Sequence, residues 1–251
     1  MVHSRHIALE GASNMRDLGG LPLGDGGWVR RGRLYRSAAL NELTEGDRVL
    51  LSGLGLSAVV DLRSEAERTY APSRLPPGLP VIAPGDGGVG SIPGYKRRPN
   101  PVTEADARRM MRAGNQTYPL RMAAAMGALY RTLAETEGGV LFHCAAGKDR
   151  TGFAAAIILL ATGASHETVV EDYLATNIIW DRKSARLSGL PRQAREAVFS
   201  ARAEYLEAAL EAMVKEFGQA EDYLTGRCGV SAGLLEQVTR SLWEHQPPPG
   251  K

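Results

Sequence analysis

His143-Cys144-Ala145-Ala146-Gly147-Lys148-Asp149-Arg150-Thr151-Gly152 places a cysteine and an arginine six positions apart with small residues between them. Before it, Gly139-Val140-Leu141-Phe142-His143 reads as a short buried strand entered from the Gly138-Gly139 turn. After it, Phe153 to Ala161 is apolar on every side and has helix-forming composition. That helix belongs in a core and is far too short to span a bilayer. A tight strand-to-helix turn leaves the first N–H groups of the helix unpaired. Those of residues 145–150 can then form an anion nest at the positive end of the helix dipole.

Each residue of the loop has a chemical role in that frame. The thiolate is the reactive form of a cysteine, and a helix N-terminus with nearby cations favours it. Cys144 is therefore the candidate nucleophile, attacking phosphorus to give a phosphocysteine that water hydrolyses. Arg150 presents a planar fork to two phosphoryl oxygens. Ala145, Ala146 and Gly147 let an anion approach the backbone closely. Thr151 can donate its hydroxyl to the departing sulfur, and His143 orients the loop through its ring nitrogens. Lys148 is expected to face the substrate as a second cation, with a solvated surface lysine as the competing reading. A nucleotide-binding P-loop is ruled out, because Phe142 stands where its first glycine belongs and Asp149 where it needs Ser or Thr. A zinc site is ruled out by the isolation of the only other cysteine, Cys228. The chemistry calls for no metal and no cofactor.

These residues resemble the signature loop of the bacterial tyrosine-protein phosphatase family that includes the mycobacterial phosphatase PtpB and a Listeria lipid/tyrosine phosphatase. Lys148 and Asp149 are its distinguishing residues. Asn14-Met15-Arg16-Asp17-Leu18-Gly19-Gly20 is similar to a second family segment, with Met15 in place of the usual aromatic. Leu34-Tyr35-Arg36-Ser37, Val59-Val60-Asp61-Leu62-Arg63-Ser64 and Glu204-Tyr205-Leu206 match three more, in order along almost the whole chain. The resemblance implies an α/β cysteine-phosphatase fold: a central, mostly parallel sheet flanked by helices, with the loop at a strand's C-terminal end. It also implies phosphotyrosine hydrolysis, with dual-specificity or phosphoinositide activity open. Against the enzyme stands a non-catalytic phospho-ligand binding module, which the intact Cys144, Arg150 and Thr151 disfavour.

The leaving oxygen needs a proton, and three aspartates are candidates to supply it. Asp149 lies inside the loop and is preferred; its structural alternative is to pair with an arginine. Asp61 ends a predicted strand over residues 57–62, on the same rim as Cys144, with a salt bridge to Arg63 or Arg16 as its alternative. Asp86 sits in a stretch, residues 72–101, that holds eight of the 14 prolines and is expected to lack regular structure. Lys96, Arg97 and Arg98 form a basic cluster there. Arg16, Asp17 and Arg36 are expected to make ion pairs beneath the site.

With 251 residues and 43% hydrophobic composition, the chain can bury one large core. One catalytic domain over residues 1–246 and a disordered tail over 247–251 are expected. A net charge of +2 gives no reason to expect nucleic acid as a partner. The expected partner is a phosphotyrosyl protein or a phosphoinositide, without integral membrane association. Two cysteines far apart favour a reducing, cytoplasmic compartment. Met1 to Leu9 is too polar for a signal peptide, which leaves export by a signal-independent route open. Further helices are predicted over residues 118–134, from a Ser165 cap through Asn177, along the Leu206-Leu210-Met213 stripe to Gly218, and from Ser231 to Trp243. Thr44 with Asp47 marks another helix start. The basic, interrupted segment 181–202 reads either as a covering element over the site, as in mycobacterial relatives, or as a solvated helix.

Overall fold

The structure is a computed structural model in which residues 4–84, 103–181 and 189–245 are described. Asp86, the 96–98 cluster, Arg182, Lys183, Arg186 and the expected tail fall outside these residues.

The strands are β1 (Arg16–Asp17), β2 (Trp28–Val29), β3 (Leu34–Ser37), β4 (Leu56–Asp61), β5 (Val81–Ile82), β6 (Gly139–His143) and β7 (Trp243–Glu244). Five form the central sheet in the order β1-β3-β6-β4-β5, and β2 pairs with β7 at the periphery. Within the central sheet β3, β6, β4 and β5 are parallel, and only β1 runs antiparallel at the edge. This is the expected mostly parallel sheet.

The helices are α1 (Glu45–Ser52), α2 (Glu65–Tyr70), α3 (Glu104–Asn115), α4 (Tyr118–Arg121), α5 (Ala123–Glu135), α6 (Asp149–Ala161), α7 (His166–Ile179), α8 (Arg192–Phe199), α9 (Ala203–Phe217), α10 (Ala220–Gly226) and α11 (Ala232–Leu242). The caps read from sequence are in place: Thr44 with Asp47 on α1, Ser165 on α7, Gly218 after α9 and Ser231 on α11. The helix expected over residues 118–134 is two helices, meeting at fully buried Met122. The proline-rich stretch contains a short strand after all, because β5 needs only two residues at the sheet edge, between Pro80 and Pro84.

Side chains alternate across the sheet, as strand geometry requires. Leu34, Val60, Val140 and Phe142 join the larger core, under helices that include α5, α6 and α10. Tyr35, Val59 and Leu141 face a smaller core closed by Leu51 of α1 and by Met15, Leu40 and Leu43. Helix α6 lies at the centre, as its all-round apolarity predicts. Phe153, Ile157, Ile158 and Leu159 are buried in it, each stabilising the fold by roughly 1.5–3 kcal/mol. Register places Ser37, Asp61 and His143 side by side at the C-terminal ends of the parallel strands. Ligand sites in open α/β sheets sit on that rim.

Candidate active site

The chain leaves β6 at His143 and turns into α6 at Asp149. Every backbone carbonyl of the turn is tied to a donor. His143 O accepts from Leu62 N at 2.8 Å and Ala145 O from Ala39 N at 3.0 Å. Cys144 O lies 3.3 Å from His143 Nδ1. Asn14 Nδ2 donates to Ala146 O at 3.1 Å and Gly147 O at 2.9 Å, and Arg36 Nη2 to Gly147 O at 2.8 Å. Lys148 O accepts from Gly152 N at 2.7 Å. In a trans peptide the C=O and the following N–H point opposite ways. Holding the carbonyls outward therefore turns the intervening N–H groups toward the loop's concave side. Those of Ala145, Ala146 and Gly147 make no hydrogen bond among the described residues.

Glycine is required at 147. Its φ is +63°, and an added Cβ would lie 2.4 Å from Ser37 O. Asn14 is the single non-glycine residue with positive φ among the described residues, at 62°, a conformation that asparagine tolerates better than most.

The floor of the loop is a buried cluster of like charges around one carboxylate. Asp172 Oδ1 accepts from Arg5 Nη1 at 3.1 Å and Arg16 Nε at 3.0 Å, while Oδ2 accepts from Arg36 Nη1 at 2.7 Å. All four residues are buried. Burial alone would raise the Asp172 pKa, but Arg16, Arg36 and Arg5 outweigh it and hold the carboxyl well below the usual range. Arg16 and Arg36 thus make ion pairs beneath the site, as expected. Asp17 does not: its carboxylate accepts from Gly19 N at 2.7 Å and Gly32 N at 2.9 Å, fixing turns instead.

The mouth is organised by the 59–64 segment. Arg63 donates to both oxygens of Asp61 from Nε, at 3.0 and 3.1 Å. Ser64 then caps α2, and Glu67 closes the capping box by accepting from Ser64 N at 2.8 Å. The same Glu67 carboxylate grips Arg150 through Nη1 and Nη2, both at 2.7 Å. Burial works against both charges. In Glu67 the Arg150 hydrogen bond and charge overcome it, and the pKa falls to about 2. In Arg150 the Cys144 sulfur and Glu67 overcome it, and the guanidinium is held firmly protonated.

Cys144 is 2% exposed at the base of the loop. Thr151 is fully buried, and its Oγ1 has no hydrogen-bond partner among the described residues, the Cys144 sulfur included. His143 is kept neutral by burial, which pulls its pKa to about 4 against the pull of Asp61, 3.5 Å from Nε2. Asp149 Oδ1 accepts from Tyr173 Oη at 3.0 Å, and Oδ2 lies 3.4 Å from Lys148 Nζ, so its partners are a phenol and an ammonium rather than an arginine. Asp61 is occupied by Arg63, the first of its two alternatives. Lys148 is buried, not the solvated surface lysine of the competing reading. Its Nζ donates to Val198 O at 2.6 Å and Ser200 O at 3.1 Å.

Residues 7–244 match the Tyrosine phosphatase family. The chain belongs to that family. A Cupriavidus necator protein named as a candidate tyrosine-protein phosphatase is 34% identical over 247 residues, covering 93% of this chain and 88% of that one. The triple specificity protein phosphatase PtpB of Mycobacterium tuberculosis is 33% identical over 272 residues, covering 92% and 96%. The crystal structure of P. aeruginosa TpbA overlays with a TM-score of 0.34 at 20% identity, covering 74% of this chain and 91% of that one. So loose an overlay carries nothing by itself. Family membership bears out the expected resemblance, the cysteine-phosphatase fold and a hydrolase of the protein-tyrosine phosphatase type. Among the described residues no helix is long and apolar enough to cross a membrane.

Three functional residues escaped the sequence reading. Glu67 carried a usable signal, since Ser64-x-x-Glu67 directly after a strand is a capping box. Asp172 carried a weaker one, an acid at helical spacing among buried Val169, Tyr173 and Thr176. Asn14 carried none as a loop anchor, because it lies 132 residues from Ala146.

Proposed function

We propose that the chain is a cysteine-dependent phosphatase of phosphotyrosyl proteins. The observation that carries this reading is the tethering of every loop carbonyl, which leaves the N–H groups of Ala145, Ala146 and Gly147 without a partner among the described residues, next in sequence to Cys144. The Cys144 thiolate attacks phosphorus and the bond to the tyrosyl oxygen breaks. Arg150 and the N–H groups of Ala145, Ala146 and Gly147 meet the charge on the non-bridging oxygens.

Asp149 is the candidate acid, passing its proton to the leaving oxygen, with the Tyr173 hydroxyl fixing the carboxyl group. Asp61 is less suited, because Arg63 and His143 already occupy it. Water then cleaves the P–S bond. Asp149 takes its proton back, phosphate departs and the thiolate is restored. The Thr151 hydroxyl is free to stabilise the sulfur as it leaves, and His143 holds the loop as a neutral ring.

Phosphoserine, phosphothreonine and phosphoinositide are secondary substrates in this reading. A nucleophilic thiol is best preserved in a reducing compartment, which favours the cytoplasm. Rapid acid quench of the enzyme turning over a phosphotyrosyl peptide, followed by mass spectrometry, should find a phosphate adduct on the Cys144 peptide. An adduct on another residue, or turnover with no adduct at any quench time, would refute the mechanism.

A further inference from the structure

The Lys148 side chain runs from the loop to a distant turn of the chain. It is 2% exposed, and its ammonium caps the C-terminal end of α8 through Val198 O and Ser200 O. It also lies 5.6 Å from the centre of the Tyr205 ring. The turn it grips is held from every other side. Asn177 at the end of α7 donates Nδ2 to Ala201 O at 2.7 Å and accepts from Ala201 N at 2.9 Å. Tyr205 Oη donates to Ala197 O at 2.9 Å, and Trp180 stacks on Phe199 with centroids 6.1 Å apart. Ala194 and Ala197 fix α8 itself against Ala107 of α3. An ammonium held by two carbonyls at a helix C-terminus, where the dipole also favours it, is poorly placed to meet a phosphoryl group.

We infer that Lys148 is a positioning residue that couples the phosphate-binding loop to the 197–201 turn. Anchoring its side chain fixes the residue that precedes α6 and holds an ammonium 3.4 Å from Asp149 Oδ2. The orientation of the Asp149 carboxyl group therefore depends on the turn staying docked. This rests on the loop being the phosphate site. It deepens that reading by assigning Arg150, and not Lys148, to the anion.

The test combines amide hydrogen exchange with kinetics on Lys148→Met and Asn177→Ala. The second variant loosens the same turn without touching the loop, and it stands in if the first fails to fold. Coupling predicts exchange over residues 197–203 faster by about tenfold or more. It also predicts a lower kcat, with the fall larger for phosphotyrosine than for p-nitrophenyl phosphate, whose leaving group needs no acid. Inhibition by inorganic phosphate should stay within about threefold of wild type, since a positioning residue contributes little to ground-state binding. Phosphate inhibition weakened tenfold or more in Lys148→Met with exchange unchanged would make Lys148 a substrate contact and overturn the inference. Faster exchange with kcat intact would reduce the contact to simple packing, and no change in either would also overturn it. The exchange readout needs no turnover, so its failure is distinguishable from a failure of the phosphatase reading.

Discussion

Beneath the loop three guanidinium groups share one carboxylate, whereas at its mouth one guanidinium meets one carboxylate. The Arg5-Arg16-Arg36-Asp172 cluster is buried and fastens the backbone through Arg36. The Arg150-Glu67 pair is 14% and 35% exposed and orients a side chain. Breaking a buried cluster strands charges that water cannot reach, while a pair that water reaches in part is better screened. The floor should therefore answer to mutation as stability and the mouth as catalysis.

The largest expected effect is at the floor. Asp172→Asn leaves three buried guanidinium groups without a counter-charge and should destabilise the fold by about 3–5 kcal/mol, read as a lower urea midpoint. A change below about 1 kcal/mol would mean the cluster is not what holds the floor. Next comes Asp149→Asn. It should lower kcat for phosphotyrosine by about 100-fold and much less for p-nitrophenyl phosphate. Equal losses on both substrates would remove Asp149 as the acid and return attention to Asp61. At the mouth, Glu67→Gln should lower kcat/KM about tenfold by freeing Arg150 to wander, with a smaller fall in the urea midpoint than Asp172→Asn gives. A stability loss there as large as that of Asp172→Asn would erase the contrast between the two regions.

The smallest effect is in pH. Buried His143 titrates near 4 in the folded chain, against about 6.5 unfolded. The unfolded state therefore binds more protons between these values, and stability falls as pH drops from about 6.5 to about 4. Glu67, with its pKa lowered from 4.5 to about 2, contributes stability above about 4.5 that is lost as pH falls toward 2. Urea titrations should show the upper part of this slope flattened in His143→Gln, with the lower part kept.

The same contrast governs what was legible in the sequence. Strand β6, its loop, α6 and the caps at Thr44, Ser165, Gly218 and Ser231 were readable because their signals lie within a few residues of each other. Cys144 and Arg150 share one loop and were readable for the same reason. What holds that loop was not. Asn14 and Arg36 reach it across more than 100 residues of chain, Asp172 holds it through Arg36, and no local pattern records those contacts. Lys148 shows the limit most clearly. Its position beside the nucleophile implied a cation for the substrate, yet its partners are the carbonyls of Val198 and Ser200, at the end of a helix that composition alone left ambiguous.

In the proposed mechanism Cys144, cradled by tethered peptides, is the nucleophile of a phosphotyrosyl phosphatase. Comparing wild type with Cys144→Ser for hydrolysis of a phosphotyrosyl peptide, with chelator present, and for binding of the same peptide tests it most directly. With Cys144 as nucleophile, turnover disappears in the variant while the peptide still binds within a fewfold of wild type. Turnover that survives the substitution, or a wild-type protein that binds the peptide without hydrolysing it, would contradict it.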